Sequence, residues 1–473
     1  MTTCATGATV MVMTNDDDAV LRALWAALGD TARPLPETRI SGPVGGLPSV
    51  HHVSTMATAL VAVATAAAAE LHAARTGEAL RAVEIDRRHA GAAFRSERLV
   101  TPLGWELPPV WDPIAGDYAA ADGWIRIHTN YAHHRDAALR ALGVPGTKED
   151  VARAIAGRSA EDLETAIVRE GGAAAMSRSA ASWAAHPQGR AVAAEPLVLT
   201  ARQALASDVP LAPAGQPLAG VRVLDLTRVI AGPVCTRFLA AHGADVLRID
   251  PPGFEEVAAL LPETTAGKRR AALDLRSPAG RDVLARLVAE ADLLVCGYRG
   301  DALARLGLDE AVLRDANPAL GILQLDAYGW SGPWRERRGF DSLVQMSVGI
   351  AARGAEAIGA TKPTPLPAQA LDHGAGYLLA ASACRALTDR SRGEATTAKI
   401  SLARVALLLA SLGDDGDPRV PELADAELDA YREHAASSFG PLRRLRCPGR
   451  IVGLPAPCWK RPAGPLGVDE ARW

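Results

Sequence analysis

Hydrophobic and polar positions along this chain keep two rhythms. From residue 218 onward, short apolar and β-branched runs alternate with longer segments of helical spacing, the pattern of parallel βαβ units. The runs at 221–226 (VRVLDL), 244–249 (ADVLRI), 292–296 (DLLVC) and 321–326 (GILQLD) read as strands. Helices are predicted at 233–242 and 278–291, then at 341–350 and 372–388 beyond a loop rich in glycine and tryptophan. Pro233 is expected at the first position of its helix, where no N–H is needed, and Gly243 just past its end. Asp250 stands at the carboxyl end of the second strand.

The rhythm before residue 218 is mainly helical. A helix at 18–28 and a Pro/Gly-rich connector lead to an Ala-rich helix from 47 to about 75, ended by Gly77, and a strand at 80–86. An Asp-Gly turn at Asp122-Gly123 enters an alternating strand. A helix closed by Gly143 follows, with two more at 148–155 and 159–170. The proline-studded segment 209–217 (VPLAPAGQP) reads as a linker.

The βαβ pattern carries a chemical expectation. In a doubly wound sheet, ligands sit beyond the carboxyl ends of the strands, and phosphates favour helix N-termini. The first turn here, 228–233 (RVIAGP), lacks the G-x-G-x-x-G spacing of a dinucleotide site, so a nicotinamide or flavin cofactor is not expected.

Composition narrows the class. At 473 residues the chain is long enough for two or three domains, and 48% hydrophobic with 22% charged residues is ordinary for a globular protein. A net charge of −3 gives no field to recruit nucleic acid or an anionic membrane, and neither is an expected partner. The abundance of arginine and alanine points to a GC-rich bacterial genome. Cys4, Cys235, Cys296, Cys384, Cys447 and Cys458 form no C-x-x-C pair. A reduced, cytoplasmic setting is therefore expected. No basic region precedes the apolar run at the amino terminus, so no secretory signal is read there. The apolar stretch 56–69 is too short to span a bilayer and is expected as a buried helix. The adjacent pairs His51-His52 and His133-His134 lack a third ligand, and no metal site is expected.

An internal repeat is also legible. Residues from 366 (LPAQALDHGAGYLLAA) can be laid on those from 47 (LPSVHHVSTMATALVA), each with Leu-Pro, an Ala-rich helix, a Gly-Glu turn and a strand-like run. Asp372 falls on or near Val53, where the first copy has no carboxylate.

Nine motifs in register resemble the class III CoA-transferase family, which includes α-methylacyl-CoA racemases and carnitine and bile-acid CoA-transferases. Among them are LAGVRVLDLT with AGP before 234, GADVLRIDPP at 243–252, GKRRAALDLRSPAGR at 267–281, YGWSGP at 328–333, GFDSLVQ at 339–345 and PAQALDH at 367–373. The resemblance covers roughly 170 residues in family order. It implies an α/β fold in which a Rossmann-like, parallel-sheet CoA-binding domain is joined to a smaller α+β domain. The segments around Asp122-Gly123 and His186-Pro187 resemble the family's small domain but precede the CoA fold, as in a rearranged duplication. The expected organisation is an amino-terminal helix and connector at 1–46, a degenerate first unit with the small domain at 47–208 and the linker at 209–217. A catalytic CoA-binding domain at 218–412 and a return segment at 413–473 complete it.

The resemblance implies a transferase that moves CoA from an acyl-CoA to a carboxylic acid, with CoA as substrate and no prosthetic group, acting as a homodimer. Asp372 matches the nucleophile; read from pattern alone it is an ordinary N-cap aspartate. A helix N-terminus is expected to keep its carboxylate charged, and the small residues after it to admit a ligand. Asp341 is expected either to orient substrate or to cap the helix that it begins. For CoA, the resemblance points to Val229, Ile230, Lys268, Arg269, Gly297, Tyr298, Arg305 and Arg338. Phe340 stands where racemases of the family carry a histidine, which disfavours two-base racemisation. The glycine-rich loop of well-known members has no clear counterpart, and the first unit has no nucleophile. A non-catalytic acyl-CoA-binding protein is the alternative.

Overall fold

The computed structural model describes residues 17–30, 32–298 and 302–473. Cys4 lies outside the described residues.

Seven strands form the central sheet: β1 (Leu199–Ala204), β2 (Arg222–Leu226), β3 (Asp245–Asp250), β4 (Lys268–Ala272), β5 (Leu293–Cys296), β6 (Gly321–Asp326) and β7 (Glu394–Ser401). Their spatial order is β4-β3-β2-β5-β6-β7-β1, parallel throughout except for β1, which pairs antiparallel with β7. The chain reverses its direction of winding between β2 and β5. Such a switch point opens a crevice at the carboxyl ends of the two strands.

Four of these strands carry the β-branched or leucine-rich runs of a sheet covered on both faces, so they are legible in sequence. β4 (KRRAA) is not, because Lys268, Arg269 and Arg270 hide its register. Lys268 and Arg270 nonetheless point inward, where Lys268 meets Asp225. β1 was also unmarked: LTARQA is largely exposed, and its place depends on pairing with β7 and on Arg202 reaching buried Asp389 (3.0 Å).

The core is built around three long helices. Val53–Thr76 and Ala231–Ala241 both pack against Ala370–Arg390. The Val53–Thr76 helix is apolar around its whole circumference and buried, as such helices must be in a folded core. The expectation that its apolar stretch is too short for a membrane is corrected: the complete helix of 24 residues is long and apolar enough, but its most apolar window lies wholly inside the fold.

Helix Ala231–Ala241 starts two residues earlier than the proline rule implied. Pro233 is its third residue rather than its first, still within the turn whose N–H groups have no intrahelical partner. Gly243 does follow the helix end, with φ +108°. Each copy of the sequence repeat forms a helix, a strand and a further helix: Val53–Thr76, Val83–Asp86 and Arg87–Ala93, then Ala370–Arg390, β7 and Leu402–Ser411.

Outside the main sheet, the hairpin Gly116–Ala120 and Gly123–Ile127 pairs with Ala174–Met176 and is covered by helices Ala132–Leu142, Lys148–Ala156 and Ala160–Arg169. The segment expected as a linker is held by buried Arg75, whose guanidinium donates to the carbonyls of Ala212 and Pro217 and, just beyond it, of Ala219. The chain end returns to β4, where Trp473 lies beside Arg269 and Arg222.

Candidate active site

A cavity of about 360 Å3 opens at the switch point, beyond the carboxyl ends of β2, β5 and β6. Its floor is the turn after β2, which is built around Asp225. That carboxylate is fully buried and accepts from Thr227 N–H (3.0 Å), the Thr236 hydroxyl (2.7 Å) and Lys268 Nζ (3.0 Å). Gly232 closes the turn so tightly that a Cβ there would meet Thr227 at 2.2 Å. Val229 is forced to φ +63°, a region that costs a β-branched residue heavily. Its N–H donates to Glu256 (3.1 Å), whose carboxylate also receives Arg248 (3.0 Å) and the Tyr131 hydroxyl (2.7 Å). Backbone strain of this kind persists where surrounding bonds over-determine it, as Glu256 does here.

The cavity brings together Val229, Ile230, Gly297, Tyr298, Arg338 and Asp372, all singled out from sequence. Three cations expected at CoA lie elsewhere. Lys268 is spent on Asp225, and burial lowers its ammonium to about 8 despite that partner. Arg269 pairs with Asp245 (2.7 Å) outside the cavity. Arg305 sits on the exposed short turn Ala304–Leu306, away from the lining. In their place stands Arg228, which sequence reasoning passed over. Its guanidinium lies between the rings of Phe254 (3.9 Å) and Tyr298 (5.1 Å) and donates to the Tyr298 hydroxyl (3.2 Å). Its position directly after the first strand, opposite the aromatic residue after β5, was the available signal.

Asp372 enters the cavity from the first turn of Ala370–Arg390 and is 8% exposed. The two expectations about its surroundings are corrected. The N–H groups of Leu371 (2.8 Å) and Asp372 (3.0 Å) donate to Asp341 Oδ2, so the helix N-terminus stabilises the charge of Asp341. The Asp372 carboxyl itself receives no hydrogen bond among the described residues. Burial, with the like charges of Asp341 and Glu97, pushes it well above the usual carboxyl range. Asp341 is raised by burial too, but its two backbone N–H bonds and Gln345 make it the member of the pair that ionises first. Asp341 therefore caps the Asp372 helix, not the helix that it begins.

The small residues after Asp372 serve packing. A Cβ on Gly376 would meet Ala231 O at 2.6 Å, and one on Gly374 would meet Val405 at 3.0 Å. They let the Asp372 helix approach the cavity turn. In the repeat, Val53 begins its helix and Asp372 is third in its own; Ser54 and Thr55 beside Val53 carry no carboxylate either. Beside Asp372, His373 Nε2 meets Glu97 Oε2 at 2.8 Å, a contact invisible in sequence because 276 residues separate them.

The opposite wall comes from the amino-terminal half. Tyr131, His133 and His134 line the cavity, and His134 and Phe340 meet edge to face at 5.7 Å. Phe340 stacks flat on buried His128, 3.6 Å between centroids, and burial lowers that imidazole to about 3. No group of three or more His, Cys, Asp or Glu among the described residues is placed to hold a metal ion.

Residues 218–413 match the family described as CoA-transferase family III. A probable fatty acyl-CoA transferase of Mycobacterium tuberculosis is 31% identical over 213 residues, 42% of this chain and 54% of that protein. A succinate–glutarate CoA-transferase of Agrobacterium fabrum is 36% identical over 152 residues, 28% of this chain and 38% of that protein. A crystal structure from M. tuberculosis aligns with 31% identity and a TM-score of 0.38, covering 41% of this chain and 57% of that one. The chain thus spans about half or less of the length of these curated relatives. Residues 218–413, which supply the strained turn, the ring-flanked arginine and Asp372, are thus the part of the chain that matches CoA-transferase family III.

Proposed function

We propose that this protein transfers CoA from an acyl-CoA thioester to a carboxylic acid through a covalent intermediate on Asp372. One observation carries the reading: Asp372 opens into the same switch-point cavity as the strained turn at Val229 and the start of helix Ala231–Ala241. Arg228 and Arg338 face that cavity and supply charge for the CoA phosphates. The turn and helix N-terminus supply backbone N–H groups.

The chemistry balances without a redox partner. An Asp372 oxygen bonds to the acyl carbon as the carbon–sulfur bond breaks, and CoA leaves as thiolate. That thiolate attacks the aspartyl carbonyl of the anhydride, releasing the donor acid and leaving an aspartyl thioester. The acceptor carboxylate then attacks the aspartyl carbonyl of the thioester, expelling CoA thiolate and forming a second anhydride; the thiolate attacks the acceptor-side carbonyl of that anhydride, giving the new acyl-CoA and freeing the Asp372 carboxylate. Each attack by Asp372 needs its ionised form, so its elevated carboxyl makes acylation faster as pH rises.

Tyr131 and His134 in the cavity wall fit a fused, rearranged duplication in which one chain supplies both sides of the site. The proposal extends to a cytoplasmic homodimer. Racemisation is disfavoured, because Phe340 transfers no proton and His128 behind it is held neutral.

The test is intact-protein mass spectrometry after incubation with a panel of acyl-CoAs, with hydroxylamine trapping. An adduct that maps to Asp372 and disappears in Asp372→Ala is expected. Thioester binding with no adduct at any pH would replace this reading with a non-catalytic acyl-CoA-binding protein.

A further inference from the structure

We propose that the acyl pocket beside Asp372 selects a flat aromatic or conjugated acyl group over a short dicarboxylic one; this rests on the transferase reading above. The chain has only 5 Phe and 6 Tyr, yet Phe254, Phe340, Tyr131 and Tyr298 all line this one cavity. Phe254 and Tyr298 flank Arg228, which leaves Phe340 and Tyr131 as the rings for an acyl group.

Of the four lining rings, Phe340 is the nearest to Asp372 along the chain. It precedes Asp341, whose carboxylate holds the backbone N–H of Asp372 (3.0 Å). One face of Phe340 lies parallel to His128, with an interplanar angle of 2°. Trp111 meets the far side of that stack edge-on, at 5.8 Å from His128. The Phe340 ring is thereby fixed in plane, with His134 meeting it edge to face at 5.7 Å, and it lines the cavity. Tyr131 stands 6.3 Å from it, within the range of paired rings. The Tyr131 hydroxyl is already spent on Glu256, so that residue offers its ring and not a hydrogen bond. Leu325, Ala327 and Leu402 add an aliphatic surface.

The cations in the lining point the same way. A distal carboxylate would need a guanidinium able to grip it with two bonds. Arg337 is committed to Glu164 (2.9 Å) and the Ala174 carbonyl (2.7 Å), over the Trp334 ring. Arg228, flanked by two rings, and Arg338 are both assigned above to the CoA phosphates.

The test compares benzoyl-CoA, cyclohexanecarbonyl-CoA and succinyl-CoA on the full chain, by the single-turnover rate at which the carbon–sulfur bond is exchanged for the bond to Asp372. The two cyclic acyl groups have similar size, but only one is flat. An offset-stacked pair predicts a preference of about two- to tenfold for benzoyl over cyclohexanecarbonyl, with succinyl slowest. Phe340→Leu should bring the ratio of the two cyclic donors toward one, and Phe340→Tyr, which keeps the ring, should preserve it. A faster succinyl donor, or a ratio unmoved by Phe340→Leu, overturns the inference. If no thioester modifies Asp372, the transferase reading fails by itself. Equilibrium dissociation constants for the same three thioesters, in wild type and both variants, then decide the pocket's preference by the same criteria.

Discussion

Asp326 offers a quantitative check on the electrostatics of the cavity. It ends β6, lines the cavity, and accepts from the N–H groups of Tyr328 (2.7 Å) and Gly329 (2.9 Å). Burial outweighs those bonds and, with the charge of Glu195 nearby, pushes the carboxyl up to about 7. A carboxyl raised in this way stabilises the fold fully only below its unfolded value of about 4, and that stability is lost as pH rises through 7. At about 1.4 kcal/mol per pH unit, the loss reaches about 4 kcal/mol above neutrality. Asp326→Asn keeps an oxygen for both N–H groups and has no charge to bury. Relative to wild type, it should therefore gain about 2 to 3 kcal/mol between pH 5 and pH 8. Urea unfolding followed by tryptophan fluorescence across that range measures the gain. A difference independent of pH, or a variant that loses ground as pH rises, would refute the reasoning.

Two other predictions bear on the nucleophile. Asp341→Asn retains an acceptor for the N–H groups of Leu371 and Asp372 but removes the neighbouring charge that holds Asp372 protonated. The rising limb of the pH–acylation profile should move to lower pH, and an unmoved limb would contradict the paired-carboxyl account. Gly376→Ala places a methyl against Ala231 O and Val234, at 2.6 and 2.7 Å. Overpacking of this kind costs about 1–3 kcal/mol, so stability and CoA affinity should fall together in denaturation and calorimetric titration. Unchanged affinity would mean that the two helices do not set the turn.

Much of the sheet was legible because β2, β3, β5 and β6 carry their burial in their own residues. β4 was not, since an arginine- and lysine-rich strand looks like surface until Asp225 is found beneath Lys268. The same contact takes Lys268 away from CoA, to which the resemblance had assigned it. A buried ion pair and a ligand-facing cation read alike in sequence, and only their partners tell them apart. Asp372 could be placed by motif, but not its environment. Asp341 and Glu97 reach it from 31 and 275 positions away along the chain, and no local pattern encodes their charges. The contribution of Tyr131 was hidden for the same reason: its partner Glu256 lies 125 residues away, in the other half of the chain.

The passage of an acceptor oxygen through Asp372 tests the central claim most directly. Turnover with an acceptor acid carrying heavy oxygen in its carboxylate should leave that oxygen in the Asp372 side chain, because the aspartyl–acyl anhydride is cleaved on the acceptor side. Peptide mass spectrometry after many turnovers is therefore predicted to find heavy oxygen in the peptide containing Asp372, at that residue alone. Formation of product acyl-CoA with Asp372 unlabelled would contradict the covalent mechanism.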